Sequence, residues 1–353
     1  MADRVARSRS VTAAYVKKPF EVTYRQVELR APGPQEVLLE VTACGICGYD
    51  LELAEWLAEE PRPLGHEIVG VVREVGAAVT RVTPGDQVVL ESGSFCCDCD
   101  TCRNGRVDLC NKGPNFWQEP ALGCSEAMIA PARGVVPAPD IEPLAAVLAE
   151  PCGVALDMIK VAEIGVTDRV LVVGTGPIGL MALAIARRLT TGPLVAANRS
   201  RGRLEVAKRL GADAVLSSET TPLAKCGEPY GGFDKILITA PPQVIPDCIT
   251  AAAYGGFIIF IGSDYKGGGV ISLDTHALHF GKKQLRSSFA SPALYLPQAL
   301  HLLRTGVVPA AEIVTHRFPL RRLSEALLTA RERRGGACKV VVIPNERSSG
   351  ASA

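Results

Sequence analysis

The 353-residue chain holds no apolar run near the roughly 18 residues of a membrane span, so no spanning helix is expected. Met1–Ser10 is basic and polar, without an apolar stretch for export, and reads as a frayed tail; the Ser- and Gly-rich Glu346–Ala353 reads likewise. A charge of one sign is missing as well. With 38 Lys and Arg against 37 Asp and Glu the formal net charge is +1, which gives no electrostatic reason to expect nucleic acid or an acidic membrane surface as a partner. There is no internal repeat or low-complexity segment. What is present, 47% hydrophobic and 21% charged residues, suits a globular protein with a large core, and the length suggests two domains. Twelve cysteines without a secretory signal point to a reducing, cytoplasmic compartment.

Four of those cysteines are crowded together. Cys96, Cys99, Cys102 and Cys110 follow a Cys-x2-Cys-x2-Cys-x7-Cys rhythm, and two-residue gaps let the chain fold back so that successive sulfurs face one centre. Tetrahedral zinc, which accepts four thiolates at about 2.3 Å, is the first candidate, and a closed four-sulfur shell makes such a zinc structural rather than catalytic. Arg103, Arg106 and Lys112 stand where they could offset its negative charge, and Cys97 breaks the spacing as a bystander. Disulfides or reactive thiols are the alternative, disfavoured in a non-secreted chain.

The first half is strand-rich, with short β-branched runs at Val37–Val41 and Ile68–Val75 and a turn at Thr83–Asp86 before Gln87–Leu90. Past about Pro151 strands and helices alternate: Arg169–Val173, a helix to Leu189, Leu194–Ala197, a helix to Leu210, Ala214–Leu216, Lys235–Thr239, Ile245–Ala253 and Gly256–Ile261. That alternation implies a parallel sheet wrapped by helices. After about Ser288, an amphipathic stretch (Leu294–Leu303), a strand (Ile313–Phe318), a helix (Leu323–Glu332) and a last strand (Lys339–Ile343) are expected to return to the first domain.

Within the alternating part, Gly174-Thr-Gly176-Pro177-Ile178-Gly179 puts Gly-x-Gly-x-x-Gly between a buried strand and an apolar helix, the context a dinucleotide turn requires. Gly174 permits the turn, Gly176 lets the backbone approach a pyrophosphate, and Gly179 lets helix and strand pack. A nucleotide-free Rossmann fold is the alternative. The second strand should end in an acid that binds the adenosine ribose diol, but this chain has Asn198, followed by Arg199, Arg201 and Arg203. Loss of the carboxylate removes repulsion against a 2'-phosphate and the arginines can pair with one, which favours NADP over NAD unless the arginines only solvate the next helix.

Three further segments carry a Cys, a His and two Glu beside glycines: Gly45-Ile-Cys47-Gly-Tyr49-Asp50, Gly65-His66-Glu67 and Ala149-Glu150-Pro151. Three protein ligands and an open position make a catalytic zinc site. With the cysteine lobe and the dinucleotide turn in the same order, the chain from about Val22 to Ile343 resembles the zinc-dependent medium-chain dehydrogenase/reductase family, and within it the sorbitol and polyol dehydrogenase branch. The resemblance implies an α/β fold: a β-rich GroES-like catalytic domain at 1–151 bearing a structural zinc lobe at 96–110, a Rossmann domain at 152–288, and a return to the catalytic domain at 289–353. It puts the zinc cysteine on Cys47 rather than Cys44, the zinc histidine on His66, and the polyol branch's glutamate on Glu150. Glu67 becomes the neighbouring acid that exchanges onto zinc, and Asp50 the carboxylate that fixes the tautomer of His66. A packed core histidine would otherwise be the ordinary reading of His66, as packing is for Cys44.

The implied chemistry is zinc-assisted loss of the alcohol proton with hydride transfer to the nicotinamide, or the reverse reduction of a ketone. One departure stands out. The family usually has Ser or Thr after Cys-Gly, whose hydroxyl relays the proton, and a histidine nearby; here Tyr49 follows and Glu52 lies close. Tyr49 is either the proton donor or a bulky wall of the pocket. The expected substrate is a polar secondary alcohol or ketone, such as a polyol, sugar or cyclitol. A simple aliphatic or aryl alcohol is the enzymatic alternative, which Trp56, Phe116 and Trp117 would favour if they lined the cleft rather than packed in core or surface. A cofactor-binding sensor without turnover is the reading from another class. Two zinc ions per chain and a homodimer or homotetramer are implied, the latter through Gly268–Leu273, whose family counterpart pairs across a two-fold axis at the sheet edge.

Overall fold

The computed structural model describes residues 9–117, 120–262, 269–291 and 293–345, in two compact units. The first unit comprises residues up to Glu150 with Ser291–Arg304 and everything from Val314 on; the second comprises Pro151–Ala290 and Thr305–Ile313. The expected return over 289–353 is therefore interrupted. The short helix Ala310–Ile313 belongs to the second unit, where Glu312 pairs with Arg209 at 2.6 Å.

In the first unit a mixed sheet runs in the order Val314–Pro319, Lys339–Ile343, Glu36–Gly45, Glu67–Val75, Gln87–Leu90, Val135–Pro137, with Ala127–Pro131 also paired to Glu36–Gly45. Alternation along Glu36–Gly45 turns Val37, Leu39 and Val41 into a core shared with Val72, Met128, Leu323 and Val342. A hairpin missed in the sequence precedes it: Arg9–Lys17 pairs with Glu21–Leu29 from Arg9↔Leu29 to Lys17↔Glu21. Of the expected N-terminal tail, Arg9 and Ser10 are thus strand residues, because Val11, Ala13 and Tyr15 have a core to enter. The rest of that tail, Met1–Ser8, and the C-terminal Glu346–Ala353 lie outside the described residues.

The second unit is a six-stranded, all-parallel sheet. Val170–Val173 lies at its centre, flanked on one side by Leu194–Asn198 and Ala214–Ser217 and on the other by Phe233–Ile238, Ala252–Phe260 and Gln284–Ser287. This order, third, second, first, fourth, fifth, sixth, is that of the dinucleotide-binding doubly wound sheet. The segment Ile245–Ala253 divides into a helix, Ile245–Ala251, and the start of the fifth strand. The helix Pro177–Ala186 is apolar on every side, and Gly179–Ala186 are all buried. The proposed pairing segment Gly268–Leu273 begins outside the described residues, and Gly269–Leu273 forms no strand; a segment meant to bond another chain has no ladder partner in its own. No described helix is long and apolar enough to cross a membrane.

Candidate functional site

The cysteine lobe is built locally. Cys99 caps the short helix Asp100–Arg103, and Cys110 closes the turn Val107–Leu109, which folds the run back on itself. The sulfurs of Cys99 and Cys102 are 3.5 Å apart, Cys96 and Cys110 3.6 Å, and Cys96–Cys102 and Cys99–Cys110 3.9 Å. A tetrahedron of thiolates at about 2.3 Å from its centre has edges of about 3.8 Å, so the four sulfurs fit a zinc ion. Backbone amides of Cys99 and Asp98 donate to Cys96 Sγ at 3.3 and 3.4 Å, and that of Cys96 to Cys110 Sγ at 3.3 Å, contacts that favour thiolates. The Thr101 hydroxyl, with its neighbours, lowers the Cys99 thiol to about 6. Cys97 is exposed with φ 66°, turned out of the cluster.

The other cluster is assembled from distant segments. Cys47 precedes the short helix Gly48–Glu52, while His66 and Glu67 enter the strand Glu67–Val75, which pairs Glu67 with Gly45. A Cβ on Gly45 would lie 2.0 Å from Glu67 Oε2, so only glycine lets that carboxylate cross the strand. Ligand atoms of Cys47, His66 and Glu67 all lie within 4.8 Å of one another. Asp50, fully buried, ties the pieces together: its Oδ2 accepts from the Cys47 amide at 2.9 Å and its Oδ1 from the Gly65 amide at 3.3 Å. His66 Nδ1 is buried without a hydrogen-bond partner, 3.6 Å from Asp50 Oδ1. Burial opposes charging of His66, yet Cys47 and Asp50 together raise its pKa well above 6.5. The pocket therefore concentrates negative charge. A thiol, an imidazole and a carboxylate in such a field fit a zinc ion.

Glu150 stands outside this close group. Its carboxyl is raised above 4.5 by burial, with His66 and Lys339 pulling it back and Glu67 adding to the rise, and Ser92 Oγ donates to it at 3.4 Å. Lys339 went unremarked in the sequence. It is 3% exposed, and its Nζ donates to both oxygens of Glu67 at 2.6 Å and to the Ile46 carbonyl at 3.0 Å. Burial works against its charge, but Glu67, Cys47 and Glu150 outweigh that and raise its pKa above 10.5. The available signal was a lysine opening the apolar strand Lys339–Ile343, since a buried lysine requires a counter-charge.

Among the remaining candidates, Tyr49 lies beside the group, edge-on to His66 with ring centroids 6.5 Å apart. Glu52 instead faces Arg331 at 3.7 Å. Phe116 is core, Trp56 is exposed, and Trp117, expected to pack in core or surface, stacks on His66. Cys44 packs in the core beside Cys124, whose thiol raises its pKa.

In the second unit the glycine turn leads from Val170–Val173 into Pro177–Ala186. Gly174 has φ 94°, and a Cβ on Gly179 would lie 1.9 Å from the Gly174 carbonyl, which explains the close packing of helix on strand. Gly176 caps the helix and Pro177 occupies its first turn ahead of Ile178. A Cβ on Gly176 would meet only Arg203 Nη1, at 3.9 Å, so the peptide is open and a guanidinium stands beside it. Asn198 Nδ2 donates to Thr175 Oγ1 at 2.6 Å, which ties the amide to the glycine turn. Arg199 and Arg201 are exposed just beyond it.

Residues 33–140 match the alcohol dehydrogenase GroES-like domain family and residues 177–305 the zinc-binding dehydrogenase family. The chain is 30% identical to the L-galactonate-5-dehydrogenase of Escherichia coli K12, over 88% of this chain and 92% of that one. It is 30% identical to a sorbitol dehydrogenase of Arabidopsis thaliana (82% and 83%) and 36% identical to an L-threonine 3-dehydrogenase of Pyrococcus abyssi (88% and 92%). A Sinorhizobium meliloti 1021 dehydrogenase solved with NADP superposes with a TM-score of 0.86 at 25% identity, covering 95% of this chain and 100% of its own. An alcohol dehydrogenase of Escherichia coli CFT073 solved with NADH does so at 0.86 and 25%, covering 95% and 99%. The glycine turn on a six-stranded parallel sheet, the sheet of the first unit and these likenesses agree: the chain belongs to the zinc-type medium-chain dehydrogenase/reductase family, in its sorbitol/polyol branch, and is an NAD(P)-dependent dehydrogenase.

Proposed function

We propose that the chain transfers a hydride between NADP(H) and a polar secondary alcohol or ketone such as a polyol, sugar or cyclitol, using one zinc at Cys47, His66 and a glutamate and a second, structural zinc at Cys96, Cys99, Cys102 and Cys110. One observation carries the reading: Cys47, His66 and Glu67 offer ligand atoms within 4.8 Å of one another. When bound, the zinc acidifies an alcohol and the nicotinamide accepts its hydride. Cys47 and His66 hold their places through Asp50, which bonds the backbone on both sides of the site. Lys339 bonds both oxygens of Glu67 within the close group, and Glu150, raised in pKa and bonded by Ser92, is the acid that completes the ligand set or exchanges with Glu67. Tyr49 is the group placed to take the substrate proton, since Glu52 is paired with Arg331.

The preference for NADP rests on Arg199 and Arg201 beside a strand end that lacks an acid, while Arg203 serves the pyrophosphate at Gly176. The polyol assignment rests on Glu150 and on relatives named for L-galactonate and sorbitol. An amino alcohol such as L-threonine is the second reading, favoured by the 36% identity to the Pyrococcus enzyme. A cytoplasmic homodimer or homotetramer completes the proposal. The test is metal quantification, with two zinc ions per chain expected, followed by a screen of polyols, cyclitols, sugars and L-threonine with NADP and NAD; a zinc-loaded protein that oxidises none of them overturns it.

A further inference from the structure

Three rings meet at the candidate metal ligands. Trp117 lies face to face with His66, centroids 4.6 Å apart and planes 18° from parallel. Tyr49 meets Trp117 edge-on at 5.3 Å and 73°. His66 covers one face of the indole, yet Trp117 keeps 36% of its surface exposed, while its neighbour Phe116, at 2%, already fills the core. Part of the apolar indole surface is therefore left exposed beside a pocket otherwise made of charged and hydroxyl groups: Cys47, Glu67, Glu150 and Ser92. A ligand that satisfies both must be apolar on a face and polar along a rim.

We propose that Trp117, flanked by Tyr49, is a specificity wall that selects a polyhydroxylated ring, a cyclitol or a ring-form sugar, over an open-chain polyol; this rests on the dehydrogenase reading above and narrows its substrate. A saturated ring with mostly equatorial hydroxyls points C–H bonds from its faces and hydroxyls from its edge. Its face suits the indole while its edge reaches Ser92 and Glu150. An open-chain polyol has no lasting face and loses torsional freedom in forming one. An aryl alcohol can stack as well, but it carries no further hydroxyls to bond the polar rim at Ser92 and Glu150, so it gains less beside the same wall.

The experiment uses the zinc-loaded enzyme in a Trp56→Phe background, so that Trp117 is the sole tryptophan. Calorimetric Kd, indole fluorescence and kcat/KM are measured with myo-inositol, a hexose, sorbitol and 1-phenylethanol. Ring compounds should bind more tightly than sorbitol and change the Trp117 emission. Replacement of Trp117 by Ala or Leu should weaken ring binding about threefold to tenfold more than sorbitol binding, so that the ratio collapses, and Trp117→Phe should restore most of it. Preference for sorbitol or 1-phenylethanol, or equal losses for ring and chain in the variants, overturns the wall while leaving the dehydrogenase reading intact. An enzyme that oxidises no alcohol at all overturns the reading beneath it, and the wall with it.

Discussion

Two thiol-bearing clusters lie in the same unit and are made in opposite ways. The cysteine lobe draws all four sulfurs from residues 96–110 and needs only two short turns to gather them. The other cluster brings Cys47 from the end of one strand region, His66 and Glu67 from the start of another, and Lys339 from the last strand of the chain. On the proposed reading the lobe would be held by a metal, whereas the composite site is held by the sheet and by Asp50. Separate variants should break the two apart. Cys102→Ser should release one of two zinc ions and cost on the order of 5 kcal/mol, because a structural metal contributes its binding energy to folding. His66→Ala should release the other zinc and lower kcat by about a hundredfold to a thousandfold with little change in melting temperature. Metal analysis, thermal melts and turnover on both variants check the contrast; a fully active Cys102→Ser enzyme ends it.

The same contrast governs what could be read in the sequence. A local cluster has a rhythm, so the cysteine lobe and the glycine turn were both visible as spacing. A composite site has none: Cys47 and His66 were reached by resemblance, and the placing of Glu67 rather than Glu150 in the close group had no local signal. Lys339 escaped, and Trp117 was named without its place against His66, for one reason. Their partners, Glu67 and His66, are 272 and 51 positions away, and only the pairing of Glu36–Gly45 with both Glu67–Val75 and Lys339–Ile343 brings the first pair together. The first hairpin was lost because a polar start concealed the alternation that begins at Val11.

Lys339 offers a sharper probe of the composite site. Its ammonium is the direct partner of the fully buried Glu67 carboxylate, so Lys339→Met leaves a charge in the core and should cost about 3 to 5 kcal/mol. A cation at Cys47 and His66 compensates the same carboxylate. The loss relative to wild type, read from urea unfolding, should therefore shrink when zinc is present; an equal loss with and without zinc would detach Glu67 from the metal centre.

Cofactor choice should move by less. Arg199→Ala combined with Asn198→Asp should shift the NADP to NAD ratio of kcat/KM by about tenfold to a hundredfold toward NAD, the worth of one or two charge-assisted bonds. Arg203→Ala should weaken both cofactors alike, since its guanidinium stands at Gly176 and not at the strand end. Equal loss for both cofactors in the Arg199 variant would assign it to solvent.

The smallest effect asks whether the two clusters communicate. Glu91 follows the strand Gln87–Leu90, next to Ser92, which bonds Glu150, and a few positions before Cys96. Burial raises its pKa from 4.5 to about 7, with Arg81 and Arg133 pulling it down. A carboxyl with a raised folded pKa holds its proton more tightly in the native state, so its contribution to stability is complete below pH 4.5 and is lost as pH rises through about 7. Ionisation should then cost about 1 to 3 kcal/mol, reduced from the full shift by the partial exposure of Glu91. Glu91→Gln keeps the shape and removes the titration. Its melting temperature should exceed that of wild type by a few degrees at pH 8 and match it at pH 5. If the same variant also retains both zinc ions and unchanged turnover at pH 8, the connecting strand carries no signal between the lobe and the composite site; a loss of zinc from either cluster would show that the two share it.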